Sequence, residues 1–422
     1  MSNLPKQIAN EQQWAARATA HDVHLKHIFD LQNCRSASKM TKPQYLALRP
    51  LWSFNEAEEF EPEQWGITGM NEARDHLDRI PGWHTYLDVI SQTNQMSQLL
   101  PVTEPLSNFT DVWYWQQILQ QLDENDEFPE EEDVIFTQTP LVQRLRDRIQ
   151  GRQGISQAEP QTPTRRPLGG LLSSLKNMSI EETPSCALRP PPSLSPPQPR
   201  PRREPDSEWR PSEEEEEEEE KKEKPVFPGA SDENLVNALL LSFASAVTIT
   251  TAGMAAHWSF QRKAFKVKAK KGAKIYEART DGHLYVASKA NTNMKSSAII
   301  EVKPFPRSSS NRVRMQETAQ VAAWIHAEPD TLDGTPNQRF CRLLLAQNWD
   351  AIYLIFAVYN AEYIDYMTNA RRDKKCKSFL VMHEYGPFYI HDRKDVEKIA
   401  AIISAVTLLF SRGGNLHPPA ET

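Results

Sequence analysis

Cysteine is scarce in this chain, and the cysteines that are present lie far apart. The 422 residues contain four, Cys34, Cys186, Cys341 and Cys376, and no two of them form a Cys-x-x-Cys pair. A disulfide framework is usually rich in cysteine, and a zinc site commonly uses a closely spaced cysteine pair. The sequence therefore argues against both and suits a reducing compartment inside the cell.

Signals for secretion and membrane insertion are also missing. The first residues, MSNLPKQIANEQQW, lack the basic and then apolar pattern of a signal peptide. The uncharged run at 238–256 has the length of a membrane span, but it contains several serines and threonines and Gly253. We expect a buried helix that continues into a loop, and hence an intracellular protein with no membrane segment.

Three common catalytic motifs are absent as well. The chain has no glycine-rich phosphate loop and no Gly-x-Ser-x-Gly nucleophile elbow. His383-Glu384 is not part of a His-Glu-x-x-His zinc motif, because Gly386-Pro387 follows one residue later. Serine-hydrolase chemistry therefore has no support.

Proline and acidic residues, by contrast, are concentrated in the middle of the chain. Residues 151–229 include RPPPSLSPPQPRPRREP and eight consecutive glutamates, which predicts a disordered linker. Before it, residues 1–150 contain six tryptophans and helical patterns such as DVWYWQQILQQL, so we expect a mostly helical N-terminal region with a packed core. Basic pairs at 165–166 and 200–203 could be nuclear import signals, which favours the nucleus over the cytoplasm, or could simply keep the linker soluble.

Regular patterns return in residues 230–422. We expect a helix in SDENLVNALLLSFASAV, strands in KAFKVKAKKGAKIYEARTDGHLYVAS and a buried strand, SAIIEVK, which ends at Pro304. A helix in NRVRMQETAQVAAWIHAE, strands in DAIYLIFAVYNAEYIDYM and SFLVMHEYGPFYIH, and a terminal helix before Gly413 follow. This order predicts an α/β fold in which helices cover both faces of the sheet.

The C-terminal region is basic, although the whole chain is acidic. Residues 230–422 carry a net charge of +7, and the remainder carries −14. Basic residues cluster on the first predicted hairpin: Arg262, Lys263, Lys266, Lys268, Lys270, Lys271 and Lys274. Lys266, Lys268 and Lys270 should alternate onto one face, and 371–377 form a second patch. Such patches bind a phosphate backbone, or merely protect a sheet edge from association.

One group of residues suggests catalysis. Glu301 and Lys303 are two apart on a predicted buried strand, so their side chains point the same way. Asp281 precedes another strand-like run and could converge with Glu301, and two carboxylates near a phosphate oxygen make a natural Mg²⁺ site. Lys303 could position a water or stabilise developing negative charge. A buried ion pair in an ordinary α/β enzyme is the alternative interpretation.

Other side chains could support this group. Gln316 and Gln320 are four apart on a predicted helix and so lie on one face, where their amides could hold the lysine or a water. Glu233, in the first turn of the opening helix, could supply a third carboxylate. It could equally be an acid that interacts only with the helix dipole.

These residues resemble the PD-(D/E)XK nuclease superfamily, and YEARTDG, IIEVKPFPR and RMQETAQVAAWI are similar to a nuclease-like domain common in filamentous fungi. The resemblance covers roughly 230–410. It implies a restriction-endonuclease-like mixed sheet, with a helix–three-strand–helix–strand core and a metal-dependent phosphodiesterase site. Asp281 and Glu301 would hold the metal, Lys303 would be catalytic, and Gln316 or Gln320 would support it. Thr280 stands where the superfamily's name has proline.

We therefore expect a nuclease, or a nuclease-like nucleic-acid-binding protein, that depends on Mg²⁺ or Mn²⁺ and acts on DNA in preference to RNA. The alternative is a catalytically silent scaffold of the same fold. In that case the N-terminal region and the acidic linker would bind protein partners, because a fold does not by itself determine a function.

Overall fold

A computed structural model of the chain describes residues 8–93, 105–122 and 233–419, with short gaps at 252, 271, 288–294, 336–337 and 369–375. The predicted linker at 151–229 with its basic pairs, and most of the patch at 371–377, lie outside the described residues. The described residues on both sides of the linker belong to one compact unit.

The elements form a mixed α/β architecture. The helices are α1 (Glu11–Ala20), α2 (Lys42–Ala47), α3 (Met70–Leu77), α4 (Trp83–Thr93), α5 (Thr110–Leu122), α6 (Glu233–Ala246), α7 (Arg312–Ala327), α8 (Ala361–Met367) and α9 (Arg393–Ser411). The strands are β1 (Pro50–Asn55), β2 (Ala256–Ser259), β3 (Ala264–Lys268), β4 (Lys274–Arg279), β5 (Gly282–Val286), β6 (Ser296–Lys303), β7 (Arg339–Asn348), β8 (Ala351–Asn360) and β9 (Leu380–Tyr389).

Seven strands make one sheet in the order β1-β9-β8-β7-β6-β5-β2, and β3 and β4 form a separate hairpin. The pairs β1–β9 and β6–β7 are parallel, and the other neighbours in the sheet are antiparallel. β6, the predicted strand that ends before Pro304, lies inside the sheet between β5 and β7. The side chains of β6 from Ala298 to Lys303 are buried.

Two hydrophobic cores lie on opposite faces of the sheet. Ile300 and Val302 of β6 belong to the core formed with α6 and α9, and Ile299 belongs to the core formed with α7. Alternate residues of a strand point to opposite faces, so Glu301 and Lys303 lie on the side of α7. The predicted α/β fold with helices on both faces is confirmed. The α7 residues Ala319 and Ala323 are fully buried, and their small side chains allow the helix to approach the sheet closely.

Within residues 8–93 and 105–122, the regular elements are helices apart from β1, a strand that the sequence did not predict. β1 pairs in parallel with β9, more than 300 residues later in the chain, and so extends the sheet. Four of the tryptophans are buried: Trp14, Trp52, Trp65 and Trp83. Trp65 lies 4.2 Å from Phe356 of β8, measured between ring centroids. This region therefore packs directly on the sheet of the C-terminal half.

One predicted strand ends earlier than expected, and another strand was missed. The run DAIYLIFAVYNAEYIDYM is a strand only as far as Asn360, whose side chain accepts a hydrogen bond from the Tyr363 amide and caps α8. The strand β7 was not predicted at all. Among the described helices none is long and apolar enough to cross a membrane, and the uncharged run at 238–256 begins within α6.

Candidate metal centre

Three carboxylates from distant parts of the chain meet at one end of β6. Glu233 comes from the first turn of α6, Asp281 from the junction between β4 and β5, and Glu301 from β6. One oxygen from each of these carboxylates lies within 4.8 Å of the others, and Asp281 and Glu301 are buried. Carboxylate oxygens are the preferred ligands of hard divalent cations. The group could therefore hold a metal ion.

The backbone around Asp281 fixes that carboxylate beside β6. Its amide donates to the Ile300 carbonyl at 2.9 Å, and its Oδ2 accepts from the Val302 amide at 3.1 Å. The next residue must be small, because a Cβ on Gly282 would lie 2.7 Å from the Ser259 carbonyl oxygen of β2. Asp281 is thus held by the edge of the same strand that carries Glu301.

Lys303 connects two of the carboxylates. Its Nζ lies 2.5 Å from Glu301 Oε1 and 3.3 Å from Glu233 Oε1, and it donates to the Val302 carbonyl at 3.0 Å. An ammonium group has three hydrogens to donate, and each has an acceptor here. Lys303 is only 8% exposed, so this arrangement places a buried positive charge among the buried carboxylates.

The two predicted glutamines of α7 both contact Glu301. Gln316 donates to Glu301 Oε1, and Gln320 donates to Glu301 Oε2 and, at 2.7 Å, to the Arg279 carbonyl. Each Glu301 oxygen therefore has a donor on α7. The glutamine amides fix the orientation of the carboxylate that faces the other two acids.

The three carboxylates of the site carry more negative charge than Lys303 and Arg262 neutralise. Burial, together with the charges of Asp281 and Glu233, raises the pKa of Glu301 well above its ordinary value. Burial also raises the pKa of Glu233. Burial alone would lower the pKa of Lys303, but the three carboxylates outweigh it and raise that pKa. Lys303 therefore stays charged, and the acids favour a bound proton or a bound cation. This donor set fits a divalent metal ion.

Asn237 is a further member of the site that the sequence analysis missed. It lies one helical turn after Glu233 on α6, and its amide donates to the Asp281 carbonyl at 3.1 Å. The side chain is buried, and within the part of the chain that the structure describes its Oδ1 has no hydrogen-bond partner. The spacing of four from Glu233 is the signal that could have identified it.

Arg262 was predicted only as one of the basic residues of the hairpin, but in the structure it contacts a carboxylate of the site. Its Nη2 is 3.3 Å from Asp281 Oδ1, and its side chain is 45% exposed. Lys263, the next residue, is half-buried and exchanges two hydrogen bonds with Thr280. Arg262 therefore forms a positively charged, solvent-facing side of the carboxylate group.

The remaining predicted basic residues that the structure describes lie on the β3–β4 hairpin. Lys266, Lys268 and Lys274 are exposed there. Lys266 and Lys268 alternate with buried residues on β3, as predicted, but Lys270 lies in the turn after the strand ends, so that part of the prediction is wrong. The pairing with β4 shifts before Lys268, and the chain then turns. Lys271 lies outside the described residues.

A second buried ionic group lies next to the site and was not expected from the sequence. Arg307, just after β6, contacts Glu317 at 2.5 Å, Glu384 at 2.9 Å and Asn348 at 3.0 Å. Arg314 also binds Glu384. These contacts connect the segment after β6 to α7, β7 and β9. Each acid has a basic partner, which indicates a structural role.

Comparison with known proteins gives no further guidance to the site. No protein family matches the sequence, and no curated protein matches it significantly. The geometry of the carboxylates, Lys303 and the glutamines is thus the observation on which a function has to be argued.

Proposed function

We propose that this protein is a metal-dependent nuclease of the PD-(D/E)XK type, which hydrolyses phosphodiester bonds in DNA in preference to RNA. The observation that carries the proposal is the convergence of Asp281, Glu301 and Lys303 beside a third carboxylate, Glu233. The order α6, strands to β6, α7 and β7 supports a restriction-endonuclease-like core.

Glu233, Asp281 and Glu301 are the residues that would hold the metal, which we propose to be Mg²⁺ or Mn²⁺. When bound, such an ion supplies a Lewis acid that neutralises charge on the phosphate and makes water more acidic. The raised pKa values of Glu301 and Glu233 support this assignment, because these acids favour a bound proton or a bound cation over an uncompensated charge.

Lys303 supplies a fixed positive charge next to these ligands. Because its pKa is raised, it is protonated at neutral pH and acts as a hydrogen-bond donor rather than as a base. Such a fixed positive charge can stabilise the negative charge that develops on the phosphate. Gln316 and Gln320 hold Glu301 in the orientation that this geometry needs.

The basic residues provide a route for the nucleic-acid backbone to the site. Arg262 is adjacent to Asp281, and Lys266, Lys268 and Lys274 expose their ammonium groups on the hairpin that follows. Lysine and arginine side chains bind phosphates largely without regard to sequence. We propose that the hairpin holds the backbone while Arg262 brings a phosphate to the carboxylates.

The test is cleavage of labelled DNA and RNA by the full chain in Mg²⁺, in Mn²⁺ and in EDTA. The full chain is needed because the N-terminal region supplies β1 and part of the core. Lys303→Ala should reduce metal-dependent cleavage by roughly 100- to 1,000-fold. Lys394→Ala, at an exposed lysine of α9, is the control and should cut normally.

Unchanged cleavage by Lys303→Ala would contradict the mechanism. Absence of both cleavage and metal binding by calorimetry would support the silent scaffold instead, since a scaffold has no need of a cation at Asp281 and Glu301.

A further inference from the structure

The loop between β2 and β3 is fastened at both ends beside Asp281. At its start, Ser259 pairs with His283 of β5, two residues after Asp281. At its end, the Lys263 carbonyl accepts from the Thr280 amide at 3.0 Å, and the Lys263 amide donates to Thr280 Oγ1 at 3.1 Å. The residues in between are therefore held close to the carboxylate group.

Phe260 stands out within this loop. Its side chain is 56% exposed although it lies in a short, fastened segment next to a polar site. A single exposed aromatic residue is ordinary on a protein surface. This one, however, is two residues from Arg262, whose guanidinium contacts Asp281, and the chain then enters a hairpin with exposed lysines.

Proteins that bind single-stranded nucleic acids combine exposed aromatic rings with nearby cationic side chains, and Phe260 lies next to such side chains along the chain. The cations follow the phosphate backbone, and the ring stacks on the face of a base. Inside a duplex both faces of each base are covered by neighbouring base pairs. The ring of Phe260 can therefore stack only where a base is unpaired or terminal.

We propose that Phe260 stacks on an unpaired base of a single-stranded nucleic acid while Arg262 binds a neighbouring phosphate. This rests on the proposed function and specifies its substrate class: a single strand, or a single-stranded segment, rather than an uninterrupted duplex. Arg262 suits the role because a guanidinium has five donors, and nearly half of its side chain faces solvent.

Binding can be measured separately from cleavage. The fluorescence anisotropy of a labelled 12-nucleotide DNA strand, the RNA strand of the same sequence and a long DNA duplex, whose interior sites far outnumber its two ends, would be followed with the full chain in EDTA and in Ca²⁺. Phe260→Ala should weaken single-strand binding by roughly 5- to 150-fold and leave duplex binding within about twofold. Phe260→Trp should retain single-strand binding, since it keeps a stacking surface.

A control variant, a second test variant and a check of folding make the measurement specific. Tyr389→Ala removes another exposed aromatic ring, on β9, which is four strands away from β5 in the sheet, and should bind like the wild type. Arg262→Ala should reduce the salt dependence of single-strand binding by about 0.7 in the slope of log K against log salt, the value for one phosphate contact. Circular dichroism would verify that Phe260→Ala is folded.

The outcomes separate this inference from the proposed function. Loss of single-strand binding by Phe260→Ala supports the inference, and the DNA and RNA arms show which strand is bound. If Phe260→Ala weakens duplex and single-strand binding equally, or changes neither, the inference is wrong even if the wild type cleaves in Mn²⁺. Binding that depends on Phe260 without any cleavage would leave the inference standing and refute the hydrolysis.

Discussion

The sharpest test of the metal centre is Asp281→Asn, because this change removes a charged ligand and keeps the shape of the side chain. The asparagine Oδ1 can still accept the hydrogen bond from the Val302 amide, and the new amide group faces the partly exposed Arg262. We therefore expect the free energy of unfolding in EDTA to stay within about 1 kcal/mol of the wild-type value.

The metal-dependent part of the stability should be lost. An ion present at 100 times its Kd stabilises the folded state by about 2.7 kcal/mol. A 100-fold weaker site at the same concentration contributes only about 0.4 kcal/mol. For a folded unit of this size, Mn²⁺ should raise the Tm of the wild type by roughly 5–10 °C and that of Asp281→Asn by about 1 °C.

Differential scanning fluorimetry in EDTA and in a Mn²⁺ titration measures both quantities. Glu58→Gln is the matched control, because Glu58 is an exposed acid in a groove with Glu56 and Asp395 on another part of the surface. It should keep the wild-type response. If Mn²⁺ raised the Tm of Asp281→Asn as much as that of the wild type, the ion would bind elsewhere and the assignment would be wrong.

Three further predictions concern the surroundings of the site. Gln320→Ala removes a donor to Glu301 and should lower metal affinity by roughly 10- to 100-fold in calorimetry; equal affinity would show that α7 does not orient the carboxylate. Arg307→Ala leaves the fully buried Glu317 without its ion-pair partner, while Glu384 keeps Arg314, and should lower the free energy of unfolding by roughly 3–5 kcal/mol in urea titrations, whereas a loss below about 1 kcal/mol would argue against a structural role. Burial lowers the pKa of His383 to about 4, below its ordinary value of 6.5. The unfolded chain therefore binds a proton that the folded chain does not, and urea midpoints should fall as the pH decreases from about 6.5 to 4; His383→Gln should flatten that decrease.

The parts of the site that the sequence could predict are those determined by local periodicity. The period of two in a strand places Glu301 and Lys303 on one face, and the spacing of four on a helix places Gln316 and Gln320 together. Both relations hold in the structure. The end of β6 was also predictable, because Pro304 cannot continue an interior strand.

The contacts that depend on distant pairing were not predictable in the same way. Nothing local shows that the PLWSFN segment, which begins with Pro50, pairs with a strand more than 300 residues later. The position of Arg262 beside Asp281 depends on how the β2–β3 loop is fastened to β5. The end of β8 was missed because apolar and aromatic residues continue past Asn360, and only the cap marks the change to α8.

Crowding these carboxylates together is energetically unfavourable, which argues that the group has a function. Glu233, Asp281 and Glu301 crowd around one buried ammonium, and burial raises the pKa values of two of these acids. The nearby Arg307 group shows how the same fold stabilises buried acids, because there each carboxylate has its own basic partner. At the site around Lys303 the acids outnumber the buried cations, and among the described residues the Asn237 Oδ1 has no hydrogen-bond partner. A bound cation would balance this excess of negative charge, and this is the reason for proposing that the group holds a metal ion.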